Sequence, residues 1–279
     1  MTVTSGAYSG RVPPEPVRRD AQVEAALRAA VVADVAWRAG DRPQVHGVLP
    51  LVGPDGPVLA LPYAQAGVAR SLAAAPEVLV CLSEPTGAGA AWAPMSVRAR
   101  PRLEEDPEGD VFTATLLEQE LLRWPPSRLL ADSVLLRREH WWWLPRLLVH
   151  LEVVGTEPLA ARTRPDEHLL VVGGADGTRA RVVRDLPRVG PPPGPGAASG
   201  DPALLLGQEV SWPDLERWGR WTWRGRWDGS ALEVEQAPEA TGLPPVPGLL
   251  ARWRGHRALE RACRAGLAGA GGPARVTGP

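Results

Sequence analysis

The chain has 279 residues, of which 44% are hydrophobic and 23% are charged, and its formal net charge is −1. These values are typical of a globular protein and exclude a disordered chain. The balanced charge gives no electrostatic reason to expect nucleic acid or an anionic membrane as a partner. All 31 basic residues are arginines, which excludes a lysine Schiff base and a P-loop lysine.

The sequence has no apolar signal-peptide core and no run of about 18 apolar residues that could span a membrane. Cys81 and Cys263 lie far apart and show no zinc or redox spacing. Cys81 stands in an apolar run typical of a buried strand, which favours a core residue over a nucleophile. We therefore expect a cytoplasmic protein, and the abundance of Arg, Pro, Gly and Ala is typical of a high-GC bacterial genome.

Residues 1–19 are polar and proline-rich, and they are expected to form a mobile arm. Asp20 can cap a helix over the next ten residues. Three short apolar runs, punctuated by Gly, Pro and Asp, then predict three consecutive antiparallel strands. A short Ala-rich helix and two more strands follow. In chain order these segments are VVADVAWRAG, QVHGVLPLV, VLALPYA, AGVARSLAAAP, EVLVCLSEP and APMSVRARPRLEE.

Residues 110–137 carry helical spacing, and Pro125-Pro126 divides them into two helices. The segment 141–154 then predicts a sixth strand. It begins with three consecutive tryptophans, in a chain that has a single phenylalanine. Pro145 cannot donate a hydrogen bond to a neighbouring strand, so a bulge is expected there.

Alternation along this sixth strand separates the three tryptophans. Trp141 and Trp143 are expected on the apolar face that lines the core, together with Leu147, Val149, Leu151 and Val153. Trp142 is expected on the opposite, polar face, together with Arg146, His150 and Glu152. On that face Trp142 would cover a neighbouring element, a partner subunit or the edge of a cofactor.

The last part of the chain predicts two hairpins, which turn at Asp176-Gly177 and Asp228-Gly229. Residues 189–207 have the composition of a Pro/Gly-rich linker. Residues 208–270 predict a Trp-rich hairpin and a basic amphipathic helix, followed by a tail over 271–279. Alternating Arg and Trp in the hairpin can stack on single-stranded bases, but the balanced charge favours packing of these tryptophans against the final helix. The apolar stripe of that helix comprises Leu249, Trp253, His256, Leu259 and Cys263.

The order of the predicted elements resembles that of the pyridoxamine 5′-phosphate oxidase-like, FMN-binding split β-barrel family. This order is helix, three strands, helix, strand, long strand, helical insert and strand. The resemblance covers residues 20–160 and is carried by the hairpin QVHGVLPLVGPDGPVLALPYA, the helix AGVARSLAAAPEVLV and the strand WWWLPRLLVHLEVVGTEPL. It implies a mainly β fold with peripheral helices (α+β), in which residues 20–188 form a six-stranded antiparallel split barrel. The Trp-rich segment would be a small additional module. A homodimer with the cofactor at its subunit interface is also implied.

The resemblance also implies where a flavin would bind. Pro62 and Tyr63 end a strand that lies beside the flavin ring in the family, and Arg70 and Ser71 on the next helix would face the phosphate. One departure is that the residues before Arg70 include no Ser or Thr, whereas family members often supply hydroxyls there. The alternative for Arg70 is a solvated helix residue, and for Tyr63 it is a half-buried residue with a hydrated hydroxyl.

Two further residues are candidates for cofactor contacts. Arg98, Arg100 and Arg102 share one face of a strand, and Arg98 ranks first because it lies deepest in that strand. Arginines on such a face can hold a phosphate or carboxylate, although pairing with acids such as Glu104 is the commoner arrangement. Trp142 is the candidate for the edge of the cofactor.

The implied function is a flavin-binding protein that uses FMN or the deazaflavin F420, and in an enzyme the flavin would transfer hydride. No side chain is assigned as a catalytic acid, base or nucleophile. The first alternative is a non-enzymatic split-barrel protein that has lost the cofactor. The second is a haem-binding relative, for which His46, His140 and His150 are the axial-ligand candidates. A strand histidine is more often satisfied locally, and no metal-site spacing is present.

Overall fold

The computed structural model describes residues 21–85, 92–131, 141–174, 177–184 and 200–270. The expected N-terminal arm (1–19), the expected tail (271–279) and His140 lie outside the described residues. So does the part of the expected linker that precedes Gly200. The described ranges are mainly antiparallel β-structure with helices around it, which confirms the predicted α+β class.

Seven strands form the first sheet, in the order β2-β1-β5-β6-β7-β4-β3, and every neighbouring pair is antiparallel. They are β1 (Ala33–Ala39), β2 (Arg42–Val48), β3 (Pro50–Gly53), β4 (Gly56–Pro62), β5 (Val78–Leu82), β6 (Met95–Asp106) and β7 (Arg146–Pro158). The predicted number of six is therefore wrong by one. The reason lies in the second predicted strand, which the structure divides into β2 and β3.

The strands β2 and β3 occupy opposite edges of this sheet, yet only Leu49 separates them in the chain. Adjacent Cα atoms are about 3.8 Å apart, so the two edges approach within about 8 Å at this point and the sheet curls on itself. The partner changes there from β1, where Ala33 pairs with Val48, to β4, where Pro50 pairs with Leu59. Pro50 has no backbone N–H, which fits the end of one ladder at this position.

Five strands form the second sheet, in the order β12-β11-β10-β8-β9. They are β8 (His168–Gly174), β9 (Gly177–Val183), β10 (Asp201–Val210), β11 (Trp218–Trp227) and β12 (Leu232–Gln236). Both predicted hairpins are present, as β8–β9 and β11–β12.

The prediction of a linker over 189–207 is wrong from Asp201 onwards. These residues belong to β10, which pairs with both β8 and β11. The apolar run of β10, from Ala203 to Leu206, directly follows a Pro/Gly-rich stretch. The composition of that stretch led to the prediction of a linker through this run. The Trp-rich hairpin is likewise not a separate module. It belongs to one sheet with β8 and β9, which the sequence assigned to the barrel.

The described ranges contain the helices α1 (Ala21–Ala29), α2 (Ala66–Ala74), α3 (Asp110–Thr115), α4 (Leu117–Arg123), α5 (Pro125–Ala131) and α6 (Leu249–Ala270). Two 3₁₀ turns span Tyr63–Gln65 and Trp141–Trp143. The helical insert divides at Pro125 as predicted, and proline is well tolerated in the first turn of a helix. The prediction of two helices is wrong, because the insert also breaks at Leu116, between α3 and α4. The sixth strand is wrong at its start, since the three tryptophans form a 3₁₀ turn and β7 begins only after Pro145.

Alternation does hold within β7 itself. Leu147, Val149 and Leu151 are buried in the cluster inside the curled sheet, where α1 and α2 also pack, while Leu148 belongs to the cluster on the outer face. Trp143 was expected inside but lies in that outer cluster, because the strand periodicity used to place it does not apply to a 3₁₀ turn. The side chain of Trp141 lies outside the described residues.

A third apolar cluster joins the two sheets face to face. Its residues come from the outer face of β1 and β5 on one side and from β8 and β10 on the other: Ala36, Leu79, Cys81, Leu169, Val171, Leu204 and Leu206. Burial of these side chains stabilises the packing of one sheet on the other.

A buried ion cluster lies beside this apolar contact. Asp34 on β1 is 1% exposed, and its carboxylate accepts hydrogen bonds from Arg162 and, at 2.8 Å, from Nη2 of Arg220 on β11. Arg162 also donates to Ser83 Oγ at 2.9 Å and lies 3.6 Å from Glu84. Burial raises the pKa of Glu84, and the Arg162 guanidinium opposes this rise. The cluster therefore connects four separate parts of the chain with two acids and two arginines.

Gly47 on β2 provides the space through which Arg220 reaches Asp34. A Cβ at position 47 would lie 1.4 Å from Nη1 of Arg220 and 2.5 Å from the ring of Trp218. A larger residue at Gly47 would therefore displace the guanidinium from its carboxylate.

We predict that Asp34→Ala lowers the free energy of unfolding by about 3–5 kcal/mol, because it leaves two buried guanidiniums without their shared carboxylate. Urea unfolding measures this change. The control is Glu152→Ala, which breaks a 3.6 Å pair with Arg100 in which both side chains are exposed. Its expected cost is below about 1 kcal/mol. Equal losses in the two variants would contradict the structural role of Asp34.

Candidate functional site

The segment that the resemblance assigns to a flavin consists of the end of β4, the turn Tyr63–Gln65 and α2. Helix α6 lies directly on this turn. The two are in close contact at Gly266, where a Cβ would lie 2.2 Å from the Tyr63 carbonyl oxygen. Further along α6, Leu267 and Ala270 pack against the cluster inside the first sheet. The face that would meet the flavin ring is therefore occupied by the C-terminal part of the same chain.

The two halves of α6 differ in burial. Cys263 in the C-terminal half is buried, and the Ala64 backbone N–H is hydrogen-bonded to its sulfur. Burial raises the pKa of the Cys263 thiol, and the Ala64 N–H and Arg146 oppose this rise. In the N-terminal half, Leu249 is 84% exposed and Trp253 is 58% exposed. The predicted apolar stripe therefore packs on the protein only towards its C-terminal end.

Tyr63 is 1% exposed, and its hydroxyl has no hydrogen-bond partner among the described residues. Burial and, to a smaller extent, the nearby carboxylates of Glu105 and Asp106 raise the pKa of Tyr63 to about 12. The phenol is therefore protonated at neutral pH. Pro62 lies one residue earlier, at the end of β4, and is partly buried.

The two candidates on α2 differ in their surroundings. Arg70 is 53% exposed, and Nη2 lies 3.8 Å from a carboxylate oxygen of Glu105, which is a loose surface contact. Ser71 points inward, and its hydroxyl accepts a hydrogen bond from Nε1 of Trp37 at 2.9 Å. Ser71 thus fixes a core tryptophan, whereas the guanidinium of Arg70 remains accessible to solvent.

Arg98 lies far from Arg70. It is held between two acids, at 3.2 Å from Glu77 and 2.9 Å from Glu157. Along β6 it stands seven residues from Glu105, the neighbour of Arg70, which corresponds to about 23 Å in an extended strand. The two arginines cannot hold the same phosphate. Arg100 and Arg102 also pair with carboxylates. This is the alternative to ligand binding that the sequence predicted for this strand face.

Trp142 is buried against the protein's own helix α6, where its ring meets the His256 ring edge-on at a centroid distance of 5.4 Å. The next strand residue expected on the polar face, Arg146, is also buried. Its guanidinium lies 4.1 Å from the centre of the Phe112 ring and 4.6 Å from that of Trp143. These cation–π contacts and Glu120, at 3.6 Å, stabilise a charge that burial disfavours. Burial accordingly lowers the pKa of Arg146.

The described histidines have local partners. His46 Nε2 lies 3.2 Å from the Gln65 side-chain oxygen, within hydrogen-bond distance. His150 Nε2 lies 3.0 Å from a carboxylate oxygen of Glu104, at ion-pair distance but without hydrogen-bond geometry. Burial, together with nearby Arg220, lowers the pKa of His46. Across the described ranges, no group of three or more His, Cys, Asp or Glu side chains could hold a metal ion.

The structure brings three of the six predicted site residues, Pro62, Tyr63 and Trp142, close to α6. Arg70 and Ser71 lie on the neighbouring helix α2, and Arg98 lies apart. The residues that close this face are Cys263, Gly266 and Leu267, and the sequence did not place them at the site. Their apolar periodicity predicts a buried helix face, but periodicity alone does not indicate which surface that face covers.

No family model and no curated protein sequence matches this chain. Several solved structures resemble it. HutZ, the haem storage protein of Vibrio cholerae, has a TM-score of 0.34 and 14% identity over 50% of this chain and 94% of that chain. A putative pyridoxamine 5′-phosphate oxidase from Listeria innocua has a TM-score of 0.32 and 13% identity, with coverages of 50% and 96%.

A haem binding protein from Mycobacterium smegmatis has a TM-score of 0.33 and 14% identity over 89% of this chain and 100% of that chain. The family that the sequence resembles is thus represented among the structural neighbours. Within the described residues, no helix is both long and apolar enough to cross a membrane.

We predict that Gly266→Ala loosens α6 from the Tyr63–Gln65 turn, because a Cβ at 2.2 Å from the Tyr63 carbonyl cannot be accommodated. The reaction of Cys263 with Ellman's reagent reports this change, since the thiol is buried while the helix is docked. We expect a rate increase of about tenfold, which corresponds to about 1.4 kcal/mol of docking free energy.

The matched control is Gly255→Ala in the same helix, where a Cβ would have no neighbour within 4 Å. Alanine favours a helix by about 1 kcal/mol relative to glycine, so this variant should react no faster than the wild type. Equal thiol reactivity in both variants would contradict the close contact at Gly266.

We predict that the free energy of unfolding falls as the pH drops below 6.5, the ordinary pKa of histidine, because burial lowers the pKa of His46 in the folded state. The unfolded chain binds this proton more readily, so stability is full above pH 6.5 and is lost as the pH falls through the folded-state pKa. His168 acts with the same sign. Urea unfolding from pH 8 down to about pH 5 should show a shallower decline in His46→Gln than in the wild type. An identical decline would contradict this role of His46.

Proposed function

We propose that this chain is a non-enzymatic split-barrel protein that has lost cofactor binding, because its C-terminal helix covers the face that the resemblance assigns to a flavin. The observation that carries the proposal is the contact of Gly266 with the Tyr63 carbonyl, which brings α6 against the end of β4. A flavin ring and this helix cannot share that face. The residues present do not fit a flavin held at this position in a single chain.

The chemistry of the surrounding side chains supports the same proposal. The Tyr63 phenol is protonated and buried, and the Ser71 hydroxyl accepts a hydrogen bond from the core residue Trp37. Arg98 is neutralised by two acids. Cys81 is buried in the contact between the sheets, where burial raises the pKa of its thiol. None of these groups is poised as an acid, a base or a nucleophile at neutral pH.

One observation favours a second candidate, an FMN- or F420-binding oxidoreductase. Arg70 is half-exposed and contacts Glu105 only at 3.8 Å, so its guanidinium is accessible to an anionic group such as a flavin phosphate. In this case the flavin would lie outside the covered face, at the subunit interface of the expected homodimer. A haem-binding function has less support, because both described histidine candidates have local partners.

The absorption spectrum of the purified protein, followed by titration with FMN, F420 and haem, separates these functions. We expect a colourless protein that leaves the FMN fluorescence and the haem spectrum unchanged at micromolar ligand concentrations. A stoichiometric flavin band, or saturable binding of FMN or F420, would contradict the proposed function. A Soret band that appears at one haem per chain would also contradict it.

If FMN does bind, Arg70→Ala identifies the second candidate. Loss of a charge-assisted contact to phosphate should weaken FMN binding about 10- to 100-fold. The matched control is Arg100→Ala, which removes another exposed arginine with a distant carboxylate partner. Equal FMN affinity in the wild type and in Arg70→Ala would eliminate Arg70 as the phosphate ligand.

A further inference from the structure

A groove of about 640 Å³ lies between α1, the α4–α5 insert and the turn formed by residues 211–217. This volume is in the range of small-molecule binding sites. Apart from three arginines its lining is apolar, and it includes Ala29, Val31, Leu122, Trp212, Pro213 and Leu215. We propose that this groove binds an organic anion with a flat aromatic body, at a site separate from the face covered by α6.

Three arginines give the groove a positive charge: Arg28, Arg123 and Arg128. Arg123 is anchored by backbone carbonyls, with donor–acceptor distances of 2.7 Å to Leu27, 2.8 Å to Ala30 and 2.7 Å to Pro50. Burial and, to a smaller extent, nearby Arg28 lower the pKa of Arg123 to about 10, so the guanidinium still carries its charge at neutral pH.

The other two arginines differ in their partners. Arg28 pairs with Glu24 at 2.8 Å. Arg128 donates to the backbone carbonyls of Leu121 and Leu122. Over the described residues, neither Arg123 nor Arg128 forms an ion pair with a carboxylate. The groove therefore carries more positive than negative charge, and an anionic ligand complements it.

The turn at residues 211–217 presents an aromatic surface to the groove. Ser211 Oγ donates to Asp214 Oδ1 at 2.6 Å, and the Leu215 N–H donates to the Ser211 carbonyl at 2.8 Å. These bonds hold Leu215 at φ 52°, a left-handed conformation that is rare for a branched residue. Trp212 remains 38% exposed beside the groove. The indole therefore offers a face on which an aromatic ligand can stack.

The charge of the adjoining chain segments also favours a ligand from outside the chain. Residues 1–20, which precede α1, contain three arginines and two acidic residues, so their net charge has the same sign as that of the groove. Residues 132–140, which follow α5, contain two arginines and two acidic residues and are neutral when histidine is neutral. Neither segment supplies the negative charge that the groove complements.

The test uses 8-anilinonaphthalene-1-sulfonate and its uncharged analogue N-phenyl-1-naphthylamine, with binding followed by fluorescence at native pH. We expect saturable binding of one sulfonate probe per chain in the groove. Trp212→Ala should weaken binding of the sulfonate about 3- to 10-fold, as expected for loss of one aromatic contact. Arg128→Gln should weaken binding of the sulfonate but not of the neutral analogue.

Two controls remove similar side chains elsewhere. Trp253→Ala removes an exposed tryptophan from α6, and Arg100→Gln removes an exposed arginine from β6. Near-UV circular dichroism verifies that each variant keeps its tertiary packing. Equal weakening of sulfonate binding by the groove variants and their controls would overturn the proposal, and so would equal affinities for the charged and uncharged probes.

Competition then tests the ligand class. Unlabelled 1-naphthoate should displace the sulfonate probe, whereas dodecanoate at the same concentration should displace it less. Stronger displacement by dodecanoate would overturn the assignment to an aromatic anion. These measurements involve no residue of the Tyr63–Gln65 turn, so their failure leaves the proposed function of the covered face unaffected.

Discussion

The buried carboxylate of Asp34 binds two arginine side chains between the two sheets, and the relative position of those sheets depends on this contact. The carboxylate accepts hydrogen bonds from Arg162, in the connection between β7 and β8, and from Arg220 on β11. A buried charge without a partner is strongly destabilising. The two sheets therefore have to pack so that Asp34 and the two arginines lie within hydrogen-bond distance. Apolar burial drives the sheets together without directional preference, whereas the ion cluster fixes their register. Gly47 leaves the space that this arrangement requires.

The ion cluster is connected to the covered face through one histidine. Arg220 contributes to lowering the pKa of His46, and the ring of His46 contacts Gln65 in the turn beneath α6. The last part of α6 then closes over this turn by close packing at Gly266. The β2 strand, through His46, and the C-terminal helix therefore both contact the segment 62–65, where the resemblance places a flavin. Helix α6 of the same chain packs at this position, which is the physical basis of the proposed loss of cofactor binding.

Local patterns in the sequence were sufficient for most strands and helices but not for their partners. Short apolar runs bounded by Gly, Pro and Asp located β1, β5 and both hairpins, and helical spacing located α2 and α6. The triplet Trp141–Trp143 was misassigned because strand alternation was extended across Pro145, where a 3₁₀ turn precedes the strand. Ser71 was a ligand candidate through the family resemblance, and Arg98 through its position on a strand face. Their internal partners, Glu157 and Trp37, come from positions remote in sequence, and no local pattern reveals such contacts.

Amide hydrogen exchange, read by mass spectrometry on peptides that cover residues 62–66 and 260–270, tests the covering of this face most directly. The Ala64 N–H is bonded to Cys263, so its exchange requires α6 to leave the turn. We expect both peptides to be protected as strongly as β4, and addition of FMN, F420 or haem should leave this protection unchanged. Rapid exchange in residues 260–270 while β4 stays protected would contradict the account, as would protection of residues 62–66 that appears only when a cofactor is added.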